Sequence, residues 1–221
     1  MTEYSIDINE RIEVLLNAIR LISERRKIIA DLITSETGLA INHSLHEVAR
    51  SINTIKYGIA VGKKQGLGQA SEDQYKILGT PDEDKLEIVK EPLGLIVAMT
   101  PFNHPLNLVC HKIIPAIIAG APIVLKPSEK TPLTAEYFHK LLVESGLPDG
   151  VFNVVNSAVP ELIVPILVNH PKTELVTFTG STNVGKQIQT MMSADDGLKV
   201  FVPELGGNCF LIIDKGSDIL A

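Results

Sequence analysis

Four short segments hold the residue types from which a reaction centre can be built. Thr100-Pro101-Phe102-Asn103-His104-Pro105 sets an amide and an imidazole between two prolines. Proline fixes φ, so the turn is stiff and presents Asn103 rigidly, as a donor to a developing oxyanion must be presented. The same residue can equally cap a following helix. Lys126-Pro127-Ser128-Glu129 places a cation and a carboxylate three positions apart. Lys126 donating and Glu129 accepting can grip the vicinal hydroxyls of a ribose, and a carboxylate there repels a 2′-phosphate, which favours NAD over NADP. A solvated ion pair worth under about 1 kcal/mol accounts for the two residues as well.

The third segment runs Phe178-Thr179-Gly180-Ser181-Thr182-Asn183-Val184-Gly185-Lys186-Gln187. Glycines and small hydroxyls at a helix start leave backbone N–H groups free for phosphate. The pattern approaches G-x-x-x-x-G-K-S/T, but Gln187 stands where a magnesium-binding hydroxyl belongs, which makes a nucleotide hydrolase the weaker reading. Gly185 can also serve close helix–strand packing alone. In the fourth, Pro203-Glu204-Leu205-Gly206-Gly207-Asn208, two glycines let the backbone approach a ligand while Glu204 acts as general base. An exposed turn is the plainer alternative.

Such loops need strands to carry them. Helical spacing runs over 6–37 through Ile12, Leu15, Leu16, Ile19, Ile28, Ile29, Leu32 and Ile33, stops at Gly38, and resumes over about 41–61. The polar stretch 62–84 reads as a loop, or an exposed hairpin from near Gln74. From Glu91 onward short apolar runs alternate with helical patterns: strands at 95–99, 122–125, 152–155, 175–178, 199–202 and 209–213. Helices fall between them at 105–119, from a Thr131 cap and Pro132 to Gly146, at 160–169, and from a Ser181 cap to about Met192. This alternation predicts an α/β fold, a doubly wound parallel, Rossmann-like sheet with N-terminal helices and a protruding β-hairpin. Ligands of such sheets sit beyond the carboxyl ends of the strands, where the loops after Met99, Leu125, Phe178 and Val202 meet.

Composition agrees and excludes several classes. The 221 residues are 45% hydrophobic, with no Trp, four Tyr and six Phe, which suits buried aliphatic strands rather than a small aromatic β module. A net charge of −6 argues against nucleic acid held by its phosphates and against an anionic membrane surface. The longest near-apolar run, Ile113 to Leu125, is too short to span a bilayer and is broken by Pro115, Gly120 and Pro122. With no basic-then-apolar leader, a soluble cytoplasmic protein is expected. Cys110 and Cys209 are too few for a disulfide framework and are expected to be inert core thiols. His43-Ser44-Leu45-His46-Glu47 is the one metal-like pattern, but an amphipathic helix accounts for it and no metal is assigned.

Taken together, Pro101-Phe102-Asn103-His104-Pro105, Lys126-Pro127-Ser128-Glu129, Phe178-Thr179-Gly180-Ser181-Thr182-x-Val184-Gly185 and Glu204-Leu205-Gly206-Gly207 resemble, in order, the motifs of the aldehyde dehydrogenase superfamily. The resemblance implies that Asn103 is the side-chain donor of the oxyanion hole and Glu204 the base that activates the deacylating water. It implies a grip on the adenosine ribose by Lys126 and Glu129 and a pyrophosphate turn at Gly180, Ser181 and Val184. Met99, Thr100, Pro101, Phe102, Ser128, Phe178, Leu205 and Gly206 complete the implied NAD set. In that chemistry a cysteine thiolate attacks the aldehyde, hydride passes to the nicotinamide, and water releases the acid from the thioester. The stretch Pro101 to His111 is most similar to the branch acting on small polar or anionic aldehydes, such as lactaldehyde or phosphonoacetaldehyde, and implies that His104 faces the substrate.

By the same resemblance, 1–73 and 93–221 form the NAD-binding domain and 74–92 a bridging or oligomerisation hairpin, while the catalytic domain is absent. Asn153-Val154-Val155-Asn156-Ser157 departs from the family by lacking a glycine at its end. The family's nucleophilic cysteine lies beyond the Glu-Leu-Gly-Gly motif, whereas this chain stops at Ala221. A fragment, inactive alone, is therefore expected. It would act as a homo-oligomer in its full-length form or with a companion chain carrying the catalytic domain. A non-catalytic NAD-binding or interaction module is the alternative.

Overall fold

The computed structural model describes residues 6–65, 75–76, 85–86, 90–193 and 198–218. Three helices open the chain: α1 (Ile8–Glu24), α2 (Arg26–Thr37) and α3 (Ile41–Gln65). Asp7 starts α1 with a capping box, its carboxylate accepting from the Asn9 amide at 2.8 Å while Glu10 accepts from the Asp7 amide at 3.2 Å. The single run expected over 6–37 breaks at Arg25, whose backbone (φ −102°, ψ 17°) closes α1 and opens α2. The break lets Ile29, Ala30 and Ile33 join Ile12, Leu15 and Ile22 in one core, and leaves Leu16 and Ile28 in solvent. Apolar spacing is the same on either side of such a bend and does not mark it. Gly38 ends α2 at φ 74°, in the left-handed geometry expected of it.

A short antiparallel ladder pairs β1 (Tyr75–Lys76) with β2 (Lys85–Leu86). The stretches 66–74, 77–84 and 87–89 lie outside the described residues, and with them most of the expected 74–92 hairpin. Beyond it run β3 (Leu95–Met99), α4 (Asn107–Ala119), β4 (Ile123–Lys126), α5 (Pro132–Glu144), β5 (Phe152–Val154), α6 (Pro160–Val168), β6 (Thr173–Thr179), α7 (Thr182–Ser193) and β7 (Val200–Glu204). The five strands form one parallel sheet in the order β5-β4-β3-β6-β7. The chain builds outward from β3 to β5 and returns to lay β6 on the other side of β3, so strand order reverses between β3 and β6. Right-handed crossovers in opposite directions place α4 and α5 on one face and α6 and α7 on the other. Side chains alternate accordingly. Ile96 and Ala98 enter the larger core with α1 to α5, whereas Val97 and Met99 join Val176, Phe178, Ile188 and Met192 in the smaller one.

The strand expected at 209–213 does not form. No described strand pairs with this segment, so its backbone has no ladder to join, and Phe210 and Ile212 stand 96% and 91% exposed. Cys209, expected in the core, is exposed with it, while Cys110 is buried as expected. Burial pushes the Cys110 thiol up, which keeps it protonated and inert.

Charged side chains from the first three helices seat the ends of the sheet helices. Thr131 stands ahead of Pro132 as expected but caps nothing: its Oγ1 is buried without a hydrogen-bond partner among the described residues. Glu36 of α2 takes that role, accepting from the Leu133 and Thr134 amides at 2.6 and 2.8 Å. The carboxylate satisfies two orphan donors and meets the positive end of the helix dipole. Glu36→Ala is expected to cost about 1–2 kcal/mol and to lower the Tm by about 3–8 °C in a thermal melt. Glu47 of α3 likewise accepts from the Leu106 and Asn107 amides at 2.9 and 3.0 Å. At the other end of α4 the buried Arg11 donates to the Ile118 carbonyl at 2.7 Å. Gly120, at φ 83°, leaves the space for that guanidinium.

Candidate functional site

The reversal of strand order between β3 and β6 leaves a gap at the carboxyl end of the sheet, because the flanking crossovers depart to opposite faces. A cleft of about 450 Å³ fills that place. Met99 to Phe102 line it after β3, Lys126 and Ser128 to Lys130 after β4, and Phe178 to Ser181 after β6. Pro160, Glu161 and Val164 of α6 and Val184, Gln187, Ile188 and Met191 of α7 form its walls. Of the cofactor residues expected from sequence, Leu205 and Gly206 alone are not among its lining.

Each loop has a local cause for its shape. Gly180 lies so close to the Phe178 ring that a Cβ there would stand 2.4 Å from Cζ. Ser181 caps α7, its Oγ accepting from the Val184 amide at 3.3 Å, at a helix start of the kind whose free amides can receive an anion. Leu205 packs where a Gly185 Cβ would go, 2.6 Å away, and a Cβ on Gly206 would meet Thr182, so these two residues lean on the start of α7 instead of lining the cleft. Lys126 is buried to 6% exposure, its ammonium donating to the Pro127 carbonyl at 2.9 Å and facing Glu129 at 3.5 Å. The Glu129 carboxyl is held below its ordinary range by its own backbone amide first and by the Lys126 ammonium after it. Lys130 Nζ lies 4.4 Å from the centroid of the Phe102 ring.

The donor set suits a dinucleotide. A cation–carboxylate pair can hold ribose hydroxyls, a helix start can receive phosphate, and Val164, Ile188 and Met191 offer an apolar slot to a flat ring. Thr100 Oγ1, in the same lining, is buried with no hydrogen-bond partner among the described residues, and a buried hydroxyl in that state calls for one.

Asn103, His104 and Glu204 are not in the lining. Asn103 is exposed on its loop, and Glu204 is exposed at the end of β7, its backbone carbonyl accepting from the Gly180 amide at 3.0 Å. His104 directs Nδ1 at Glu47, 3.4 Å away. Asn103 is not the cap of α4, whose first amides are taken by Glu47.

Sequence reasoning passed over Lys112. This lysine of α4 is buried, donates to Thr177 Oγ1 at 2.8 Å, and lies within electrostatic reach of Glu204. Burial pushes its ammonium down to about 8, and the Glu204 charge opposes that shift. Nothing in helical spacing marks Lys112, which would read as a wet residue beside His111. The α7 wall was within reach of sequence: once Ser181 is taken as the cap, Val184, Ile188 and Met191 share one helical face. Among the described residues no three His, Cys, Asp or Glu side chains converge as metal ligands. His43 and His46 are exposed, and Glu47 is buried. No described helix is long and apolar enough to cross a membrane.

Known proteins resemble the chain over nearly its whole length. A profile described as the aldehyde dehydrogenase family matches residues 4–221. "D-glyceraldehyde dehydrogenase (NADP(+))" of Picrophilus torridus is 34% identical over 210 residues, 95% of this chain and 41% of that protein. "3-sulfolactaldehyde dehydrogenase" of Priestia megaterium is 36% identical over 212 residues, 95% of this chain and 42% of its own length. The crystal structure of succinate-semialdehyde dehydrogenase from Burkholderia pseudomallei superposes with a TM-score of 0.84 at 30% identity, over 97% of this chain and 42% of that one. The chain thus spans about two-fifths of the length of these relatives.

Proposed function

The chain belongs to the aldehyde dehydrogenase family, and on that footing we propose that it is the part of an NAD-dependent enzyme that holds the cofactor and supplies the oxyanion donor and the general base. The substrate class is a small polar or anionic aldehyde, which leaves as its carboxylic acid. The observation that carries this reading is the cleft at the strand-order reversal, lined by the loop after β3, the Lys126–Glu129 pair and the capped start of α7.

Lys126 and Glu129 hold the adenosine ribose, and the Glu129 charge disfavours a 2′-phosphate. The turn Gly180-Ser181 and the first amides of α7 receive the pyrophosphate, and Val184 with the apolar wall flanks the adenine. NAD, when bound, accepts the hydride that leaves the aldehyde carbon. Asn103 donates to the oxygen of that carbon as negative charge grows there, and Glu204 takes a proton from the water that releases the acid. Lys112, beside Glu204, holds a second proton close to that base. The attacking thiol is assigned to polypeptide beyond this chain, continuous with it or on a companion chain, since Cys110 is sealed in the core and Cys209, though exposed, lies outside the lining of the cleft.

Titration calorimetry on the chain tests this directly. NAD is expected to bind, with NADP at least about tenfold weaker and ATP weaker still, and lactaldehyde with NAD is expected to give no NADH from the chain alone. ATP binding more tightly than NAD would overturn the cofactor assignment. Tighter NADP binding would overturn the role given to Glu129.

A further inference from the structure

The histidine-rich turn of α3 finds no use as a metal site, yet its last residue has an unusual position. Glu47 is 1% exposed, and its carboxylate meets three groups, all from the stretch that carries Asn103 into α4: the Leu106 amide at 2.9 Å, the Asn107 amide at 3.0 Å and His104 Nδ1 at 3.4 Å. The local cap position, Leu106, has no side chain able to satisfy those amides, so the start of α4 depends on a carboxylate from another helix. An ionised carboxylate only accepts hydrogen bonds, so all three groups must donate to it.

We infer that Glu47 is a positioning residue that fixes the loop before α4 and holds the His104 proton on Nδ1. The ring then turns a bare Nε2 toward its open side, since the His104 side chain is 45% exposed and its Nδ1 edge faces the buried carboxylate. The loop thereby offers a donor, the Asn103 amide, next in sequence to an acceptor, His104 Nε2. A polar substrate with a hydroxyl near its carbonyl meets complementary groups there. This rests on the reaction-side reading of Asn103 and His104. The hold itself comes from the three contacts. Because Glu47 projects from α3, which packs so closely on α4 that a Cβ on Gly58 would stand 2.5 Å from Ile114, the loop is referenced to the core and not to its own flexible backbone.

Nitrogen-15 NMR of the imidazole in the full chain tests the inference, recorded where the ring is neutral. Wild-type His104 is expected to show one tautomer, protonated at Nδ1. Glu47→Gln keeps a carbonyl for the helix amides but loses the charge and is expected to give a mixed ring population. Glu47→Ala is expected also to speed hydrogen exchange at Leu106 and Asn107 by about tenfold or more while the middle of α4 is unchanged. If the alanine variant does not fold, the glutamine variant decides alone. A wild-type ring protonated at Nε2, or an unaltered ring population in Glu47→Gln, would overturn the inference. NAD titration of the same samples is a separate readout: wild type failing to bind NAD while its ring behaves as expected counts against the cofactor cleft and leaves the hold of Glu47 standing.

Discussion

Gly180→Val is expected to weaken NAD binding by at least about a hundredfold, equivalent to roughly 3 kcal/mol. The cause is steric and local. A Cβ at this position would lie 2.4, 2.9 and 3.2 Å from Cζ, Cε2 and Cε1 of Phe178, so any side chain must move the ring. Phe178 is 7% exposed and packed in the smaller core with Val176 and Ile188. It has no room to retreat there, and its open side is the cleft it lines. Displacing it also strains the hydrogen bond from the Gly180 amide to the Glu204 carbonyl, which ties the end of β6 to the end of β7. Calorimetry with NAD reads the loss, and a thermal melt of the same variant shows whether the fold survives. Wild-type affinity in a folded Gly180→Val chain would show that the cofactor does not press against this turn.

The second large effect concerns pH. Lys112 titrates near 8 in the folded chain against an ordinary value of 10.5, because burial disfavours its charge. Between those two values this lysine binds its proton in the unfolded chain and not in the folded one, so its contribution to stability rises with pH across that window. Below about 8 the buried ammonium lowers stability by its full amount, on the order of 3 kcal/mol. Above 10.5 both states are neutral and the contribution is flat. Urea unfolding from about pH 7.5 to 9 is expected to show this rise, before ionisation of the Cys110 thiol in the unfolded chain opposes it, and Lys112→Met is expected to remove it. A slope that persists in the methionine variant would mean that another group carries it. The same titration bears on catalysis. The Glu204 charge acts on Lys112, so under the role proposed for Glu204 the alkaline limb of the pH–rate profile of the full-length enzyme is expected to shift in Lys112→Met.

The parts of the site that could be read from sequence are those that act over a few residues. Lys126 and Glu129 meet because a strand end and a proline fix the two residues between them, and Ser181 caps α7 because cap and amide are three positions apart. Strand order and the place of the cleft follow from alternation and crossover handedness, which are properties of the whole pattern. The features that escaped depend on residues far apart in the chain. Thr131 has the right identity and position for a cap, but Glu36 occupies the amides first, and no local rule contains that partner. Lys112 looks like a surface lysine until α4 is laid on the sheet. The break at Arg25 preserves the apolar spacing on both sides and so leaves no trace in it. The segment 209–213 shows the converse: its continuous apolar run suits a buried strand, and it fails to become one for want of a neighbour among the described strands.

The anchoring of α4 and α5 by Arg11, Glu36 and Glu47 has a consequence for the order in which the chain can acquire structure during synthesis. When α1 to α3 have left the ribosome, these three charged groups lack the backbone partners they hold in α4 and α5, which lie between Leu106 and Thr134. Burying Arg11 and Glu47 at that stage would strand a guanidinium and a carboxylate in the hydrocarbon they later share with α4, a penalty of several kcal/mol for each ion, whereas Glu36 stays half-buried. The leading helices are thereby kept from closing on one another prematurely. Arg11 and Glu47 gain their partners only once α4 has been made, so that the platform beneath the loops of the cleft is completed by residues synthesised after it.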